Sequence, residues 1–194
     1  LMDLTHLGYV HVGSIGGNPM THVEAKMQTV RTPRGLKFTR WMLNSLPPPT
    51  YVKAVGFQGR IDRAQMFEFI APGSIVQLSA ADEAGTFTDG LPDSSKLQFR
   101  LFHGLTPETD TTCFYFWSTA NGFRPNDPAA TEQLFQAIGA AYVEDLTVVE
   151  GQQARLSELG EDALVDIAND STRLHMRRTM ERMLAGDAPA LAAE

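Results

Sequence analysis

Residues 63–81 have the sequence RAQMFEFIAPGSIVQLSAA. Arg63–Ile70 and Ser74–Ala81 are two runs of strand-forming residues, and Ala71-Pro72-Gly73 between them has turn chemistry. Two such runs joined by a short turn predict a β-hairpin. The rest of the chain can be arranged around this hairpin.

Similar hairpins are predicted on both sides of it. The first joins Val23–Arg31 to Leu36–Leu43 through Thr32–Gly35, and the last joins Lys96–Leu105 to Thr112–Thr119 through Thr106–Asp110. The segment Ser45–Thr50 contains three consecutive prolines, which lack a backbone N–H, so we expect an irregular connection there. Consecutive hairpins of this kind indicate an antiparallel sheet.

Two helices are predicted after the strands. Asp127 is a suitable N-cap and Pro128 a suitable first residue for a long amphipathic helix that reaches about Leu156, and a second helix covers Ser171–Leu184. A curved antiparallel sheet that grips the long helix would leave a cavity for a small molecule between them. We therefore expect an α+β fold and, because 194 residues suit one core, a single domain over residues 1–194.

The composition excludes several classes of function. No run approaches the roughly 18 apolar residues that a membrane-spanning helix needs, so we expect no membrane partner. A net charge of -7 argues against nucleic acid as a partner. Cys113 is the single cysteine, which excludes an internal disulfide framework and an iron–sulfur cluster held by this chain alone. The same scarcity of cysteine predicts a cytoplasmic protein.

The opening of the chain carries a candidate metal motif. Residues 3–11 have the sequence DLTHLGYVH, in which Asp3 lies one helical turn before His6. On a regular helix His6 and His11 would be separated by roughly 140° of rotation. Both rings can therefore bind one ion only if the helix is distorted or ends between them, and Gly8 is placed to allow this.

A third ligand is predicted on the long helix. Its apolar stripe, spaced by three and four residues, comprises Leu134, Ile138, Ala141, Asp145, Val148 and Gln152. A carboxylate on a buried face needs a compensating partner, and a divalent cation bound by two histidines would supply it. His6, His11 and Asp145 thus form a candidate 2-His-1-carboxylate set, which is typical of non-haem Fe(II) oxygenases. The alternative is that two histidines five residues apart occur by chance and that Asp145 is solvated.

Three blocks of sequence resemble the C-terminal catalytic domain of Rieske-type aromatic oxygenases, in particular the branch that contains the vanillate and dicamba O-demethylase oxygenase components. The blocks are residues 3–11, residues 105–117 with the aromatic run Phe114–Trp117, and residues 144–153, which begin Glu144-Asp145. They occur in the family's order and spacing.

The resemblance implies a helix-grip fold of the START/Bet v1 type, a homotrimer, and a mononuclear Fe(II) bound by His6, His11 and Asp145. It implies that Asp3 is a catalytic carboxylate linking a ligand histidine to the electron donor of a neighbouring subunit. It also implies oxidation of an aromatic acid by dioxygen, as O-demethylation or hydroxylation. The family's 2Fe–2S cluster is expected on a missing or separate Rieske domain, supplied with electrons by a reductase or ferredoxin.

Two residues are predicted to contact the aromatic substrate by their resemblance to positions in dicamba O-demethylase. His103 falls on the apolar face of a predicted strand, and Gln77 lies on another strand. The alternative for His103 is a structural core histidine. His22 and His175 have no motif support and are expected at the surface. Lys53, Arg60 and Arg63 are possible partners for a substrate carboxylate by their charge alone.

A function from a different class also fits the pattern. A helix-grip carrier would bind a hydrophobic small molecule without metal, and its histidines would be structural. Such a carrier should bind its ligand equally well after chelation. A zinc hydrolase fits less well, because no H-E-x-x-H motif accompanies the candidate ligands.

Overall fold

A computed structural model describes residues 6–87, 94–160 and 164–186. The strands are β1 (Lys26–Thr32), β2 (Gly35–Ser45), β3 (Ile61–Ile70), β4 (Ser74–Glu83), β5 (Leu97–Pro107) and β6 (Cys113–Asn121). The helices are α1 (Pro19–Val23), α2 (Pro49–Val55), α3 (Pro128–Leu159) and α4 (Ser171–Leu184), and short 3₁₀ turns cover His6–Gly8 and Ala168–Asp170.

The strands form one antiparallel sheet in the order β1-β2-β3-β4-β5-β6, so each strand pairs with its neighbour in sequence. The three predicted hairpins are confirmed: β1 pairs with β2, β3 with β4, and β5 with β6. In the central hairpin the pairs run from Ile61 opposite Glu83 to Ile70 opposite Ser74. The predicted α+β class is therefore correct.

The proline segment differs from the prediction. Strand β2 continues to Ser45, and Pro49 begins helix α2 instead of remaining in an irregular connection. Proline is favoured at the first position of a helix, where its missing N–H would have no intrahelical partner. Gly56 ends this helix in the left-handed conformation at φ 71°, with its N–H donating to Val52.

Helix α3 packs one face against the sheet through its first half only. Ala130, Leu134, Ile138 and Ala141 are its buried residues. Of these, Leu134 and Ile138 share a core cluster with Leu97, Phe99 and Leu101 of β5. The predicted stripe is wrong beyond this point, because Val148 is 49% exposed and Gln152 is exposed as well. Asp145 lies at the transition and is half-buried.

Helix α4 covers the other half of the sheet. Its methionines Met176, Met180 and Met183 pack against a cluster that includes Leu36 and Phe69. Leu7, next to the candidate ligand His6, belongs to the same cluster, so the opening turn of the chain is held against the sheet. Among the described helices, none combines the length and the apolar character needed to cross a membrane.

Candidate metal centre

The turn that carries His6 ends before it reaches His11. A single 3₁₀ turn covers His6–Gly8, after which the N–H groups of Tyr9 and Val10 both donate to the carbonyl of His6. This break brings the two imidazole rings to a centroid distance of 5.2 Å at an interplanar angle of 72°. The predicted distortion is therefore present, and the backbone packs closely at Gly8, where a Cβ would lie 2.6 Å from Cα of Pro19.

The loop that follows His11 folds back on the same turn. Gly16 N–H donates to the carbonyl of His11 at 2.8 Å, and a Cβ on Gly16 would lie 1.8 Å from the carbonyl oxygen of Leu7. Only glycine fits in that space. Arg63 on β3 clamps the loop from the sheet, since its guanidinium donates to the carbonyls of Gly16 at 3.0 Å and Ile15 at 3.1 Å.

The structure brings the side chains of His6, His11 and Asp145 together. His11 Nε2 lies 3.0 Å and His6 Nε2 lies 3.4 Å from Oδ1 of Asp145, and one ligand atom from each residue lies within 4.8 Å of the others. Adjacent ligands of an ion with bonds of about 2.1 Å are roughly 3 Å apart when they subtend a right angle. The three side chains therefore fit a mononuclear cation, and their donor set is the one typical of non-haem Fe(II).

Burial and the contacts between charged groups shift the pKa values of His11 and Asp145 in opposite directions. Burial by itself would lower the pKa of His11, but hydrogen bonds with Asp145 and Glu144 raise it above its usual value. Burial would raise the pKa of Asp145, whereas the hydrogen bond and charge of His11 lower it. Both shifts reflect the close approach of His11 Nε2 to Asp145, which is the contact that a bound cation would replace.

Glu144 is a residue of this site that the sequence analysis left outside it. Its Oε2 accepts from His11 Nδ1 at 2.6 Å and from Ser14 Oγ at 2.8 Å. The amphipathic pattern of the helix placed Glu144 off the apolar stripe, and the pattern cannot report a partner that lies 133 residues away. The block Glu144-Asp145 was the available signal. Asp3, the predicted bridging carboxylate, lies outside the described residues.

His103 and Gln77 are brought together on adjacent strands. His103 is 1% exposed, as its place on the apolar face of the strand predicted. Its Nδ1 lies 2.7 Å from the Tyr115 hydroxyl and 3.3 Å from that of Tyr142, and its Nε2 lies 3.3 Å from Oε1 of Gln77. Gln77 in turn donates to Ser79 at 2.9 Å.

The protonation state of His103 determines which atoms donate and which accept in this network. Burial is the main cause that lowers the pKa of His103 to about 4, so the ring is neutral near pH 7. A neutral imidazole that accepts from a tyrosine at Nδ1 carries its proton on Nε2, where it can donate to Gln77. Tyr142 lies one helical turn before Asp145 and so joins the network to the helix of the candidate metal ligand.

The prediction that His22 lies at the surface is wrong. Its side chain is 1% exposed, and Nε2 is 2.9 Å from the carbonyl of Gly16, so it holds the same loop as Arg63. Burial, aided by the charges of Arg40 and Arg63, lowers its pKa to about 3. Local sequence gives no signal for this role, because it depends on how the loop folds back. His175, also predicted at the surface, is half-buried beside a cleft between α4 and β1.

A cavity of about 490 Å³ opens between α2, α3 and the start of β5. Its walls are mainly apolar and include Phe99, Leu134 and Ile138. Ser14 and Ile15 form one wall, so the cavity adjoins the loop that follows His11. The side chains of the candidate metal group and of His103 and Gln77 are not among the residues that line it.

Known proteins resemble this chain in both sequence and fold. The family described as Vanillate O-demethylase oxygenase C-terminal domain matches residues 1–186. A putative toluene-4-sulfonate monooxygenase system iron-sulfur subunit of Comamonas testosteroni is 31% identical over 96% of this chain and 55% of its own length. A vanillate O-demethylase oxygenase subunit of a Pseudomonas species is 32% identical over 99% of this chain and 59% of its own length.

A solved structure gives the same fold. The crystal structure of dicamba monooxygenase bound to 3,6-dichlorosalicylic acid superposes with a TM-score of 0.81 at 22% identity, over 96% of this chain and 54% of that one. The chain thus spans little more than half the length of the relatives it matches. The fold predicted from the resemblance, a curved sheet with a long helix, is confirmed.

Proposed function

Because the chain belongs to the vanillate O-demethylase oxygenase C-terminal domain family, we propose that it is the iron-binding catalytic part of an oxygenase that acts on an aromatic acid. The observation that carries the proposal is the convergence of His6, His11 and Asp145, with both Nε2 atoms directed at one carboxylate oxygen. The names of the relatives, which include oxygenases of vanillate and toluene-4-sulfonate, support an aromatic anion as substrate.

Iron bound by the three residues would supply the activation of dioxygen. The chain contributes a partly enclosed position for that ion: His11 is buried, while the side chains of His6 and Asp145 are 24% and 26% exposed. The partial exposure of His6 and Asp145 would leave room for small ligands beside a bound ion, as a 2-His-1-carboxylate site requires. Asp3 would accept a hydrogen bond from the remaining ring nitrogen of His6 and connect it to an electron donor.

His103 and Gln77 would orient the substrate. A neutral His103 with a proton on Nε2 can donate to an oxygen of an aromatic acid, and its present bond to Gln77, at 3.3 Å, is long and easily exchanged. Gln77 could then donate from its amide. The two tyrosines of the network, Tyr115 and Tyr142, would fix the His103 ring while the substrate binds. The proposed reaction is O-demethylation or hydroxylation.

The electrons would come from outside the described residues. We expect a 2Fe–2S Rieske domain on another part of the protein or on a separate chain, a reductase or ferredoxin that supplies it, and a homotrimer in which Asp3 faces a neighbour's cluster. The iron-sulfur subunit in the name of one relative supports such a donor.

The first test is anaerobic titration of the chain with Fe(II), followed by metal analysis. One iron per chain is expected in the wild type and in Glu150→Ala, whose exposed carboxylate lies on the same helix away from the site. Asp145→Ala should bind no stoichiometric iron. Stoichiometric iron in both Asp145→Ala and His6→Ala would refute the ligand assignment.

A second candidate function rests on the cavity. Its volume of about 490 Å³ and mainly apolar walls suit a small hydrophobic ligand, and the candidate metal ligands do not line it. A metal-free carrier would bind an aromatic probe equally well with and without chelator. It would also retain that binding in Asp145→Asn. Loss of probe binding on chelation would exclude the carrier.

A further inference from the structure

The carboxylate of Glu144 lies against the side of the His11 ring that faces away from the metal group. We infer that Glu144 is a positioning residue for the metal centre, which holds His11 in the one tautomer and orientation that can bind an ion. This inference rests on the proposed function, because it assumes that His11 is a metal ligand.

The hydrogen bond defines the tautomer. Glu144 Oε2 lies 2.6 Å from His11 Nδ1, and a carboxylate oxygen can only accept, so Nδ1 carries the proton and donates it. A neutral imidazole has one N–H, which leaves Nε2 with a lone pair. That nitrogen lies 3.0 Å from Asp145 Oδ1, inside the metal group. Glu144 therefore makes Nε2 available as a ligand atom.

Glu144 and Asp145 are consecutive on α3, yet they contact opposite nitrogens of one ring. Successive residues on a helix point about 100° apart, so a ring inserted between two adjacent carboxylates can meet both. The ring is well placed for this because the His11 side chain is 2% exposed, whereas Glu144 reaches in from the more exposed side at 39%. The pair Glu144-Asp145 thus acts as a clamp on His11.

Ser14 holds the Glu144 carboxylate in place. Its hydroxyl donates to Oε2 of Glu144 at 2.8 Å, and its backbone N–H donates to the carbonyl of His11 at 3.0 Å. Ser14 therefore belongs to the same loop as His11, and the contact ties that loop to α3. A carboxylate that accepts two hydrogen bonds at one oxygen has little freedom to rotate away.

Glu144 is not itself a candidate ligand. The ring of His11 separates its oxygen from Nε2, and the compact group of potential ligand atoms comprises His6, His11 and Asp145 among the described residues. Histidines that bind metals commonly donate their other N–H to a carboxylate, and loss of that partner typically reduces metal affinity by about 10- to 100-fold. The same range is expected here.

The experiment is an anaerobic titration with Co(II), whose visible spectrum reports the coordination of the ion and needs no turnover. The variants are Glu144→Ala, Glu144→Gln and Ser14→Ala, with Glu150→Gln as the matched control on an exposed part of α3. Glu144→Ala should lose about 10- to 100-fold in affinity and change the spectrum. Glu144→Gln should recover part of both, since its amide oxygen can still accept from Nδ1, and Ser14→Ala should lose less than Glu144→Ala.

The possible results distinguish a failure of the positioning role of Glu144 from a failure of the proposed metal site. Wild-type affinity and spectrum in both Glu144 variants, with normal binding by the wild type, would overturn the positioning role and leave the metal site standing. Absence of Co(II) and Fe(II) binding by the wild type would overturn the proposed function itself. Should Glu144→Ala fail to fold, the near-isosteric Glu144→Gln decides alone. Wild-type affinity and a wild-type spectrum in Glu144→Gln would then contradict a role that depends on a charged acceptor.

Discussion

Replacing His103 with glutamine should remove part of the acid sensitivity of the fold. The side chain of His103 is 1% exposed, and burial lowers its pKa to about 4, against 6.5 for an unhindered histidine. Above pH 6.5 the ring is neutral in both the folded and the unfolded chain, so it contributes no pH dependence. As the pH falls from 6.5 towards 4, the unfolded chain binds a proton that the folded chain does not, and stability is lost.

The size of the effect follows from the two pKa values. Between pH 7.5 and pH 5.0 the difference in proton binding lowers the free energy of unfolding by about 2 kcal/mol. Glutamine has no such titration, so His103→Gln should lose about 2 kcal/mol less than the wild type over this interval. The variant also loses hydrogen bonds to Tyr115 and Tyr142, which lowers its stability at both pH values and cancels in the comparison.

The assay is urea denaturation at pH 7.5 and 5.0 in the presence of chelator, followed by circular dichroism. Gln98→Ala, on the same strand, removes no titratable group and should keep the wild-type difference between the two pH values. Equal pH dependence in the wild type and in His103→Gln would refute the reasoning, because it would mean that the imidazole is protonated as readily in the fold as in the unfolded chain.

Three further predictions concern the loop, the core and the metal. Gly16→Ala places a Cβ 1.8 Å from the Leu7 carbonyl oxygen, so it should lower the melting temperature and weaken Co(II) binding; wild-type values would show that the loop is not tightly packed. Ile138→Ala, at a position 2% exposed, should cost about 2–5 kcal/mol in urea denaturation, whereas Val148→Ala, at 49% exposed, should cost about 0.5 kcal/mol or less. Similar costs would contradict the assigned burial. Fe(II) at a hundred times its dissociation constant should add about 2.7 kcal/mol of stability that chelator removes, and a shift of the same size in Asp145→Ala would argue against the site.

The predictions that succeeded relied on local chemistry. Turn residues such as Ala71-Pro72-Gly73 and runs of strand-forming residues located all three hairpins, and Asp127-Pro128 marked the first turn of α3, where Asp127 accepts from the N–H groups of Ala129 and Ala130. These signals act over a few residues, so they survive without knowledge of the rest of the fold. The prediction of α4 as Ser171–Leu184 matched the structure for the same reason.

Predicting the candidate metal group took more than local sequence patterns. The spacing of His6 and His11 and the acid on the long helix nominated the three residues, and the resemblance to a family supported them. The structure shows that their side chains converge, while their role as ligands stays a prediction. Sequence could nominate them because only a few residue types bind iron, and those types are conspicuous in a chain with five histidines.

The amino-acid sequence by itself therefore determined the sheet of consecutive hairpins and the two main helices, and it nominated the residues of the candidate metal group. Only the tertiary structure decided that Glu144 supports His11, that His22 and Arg63 hold the Gly16 loop, and that the apolar face of α3 ends near Ala141. The physical reason is separation along the chain: a hydrogen bond or a buried face between residues far apart in sequence depends on how the elements pack, which no local pattern of residues records.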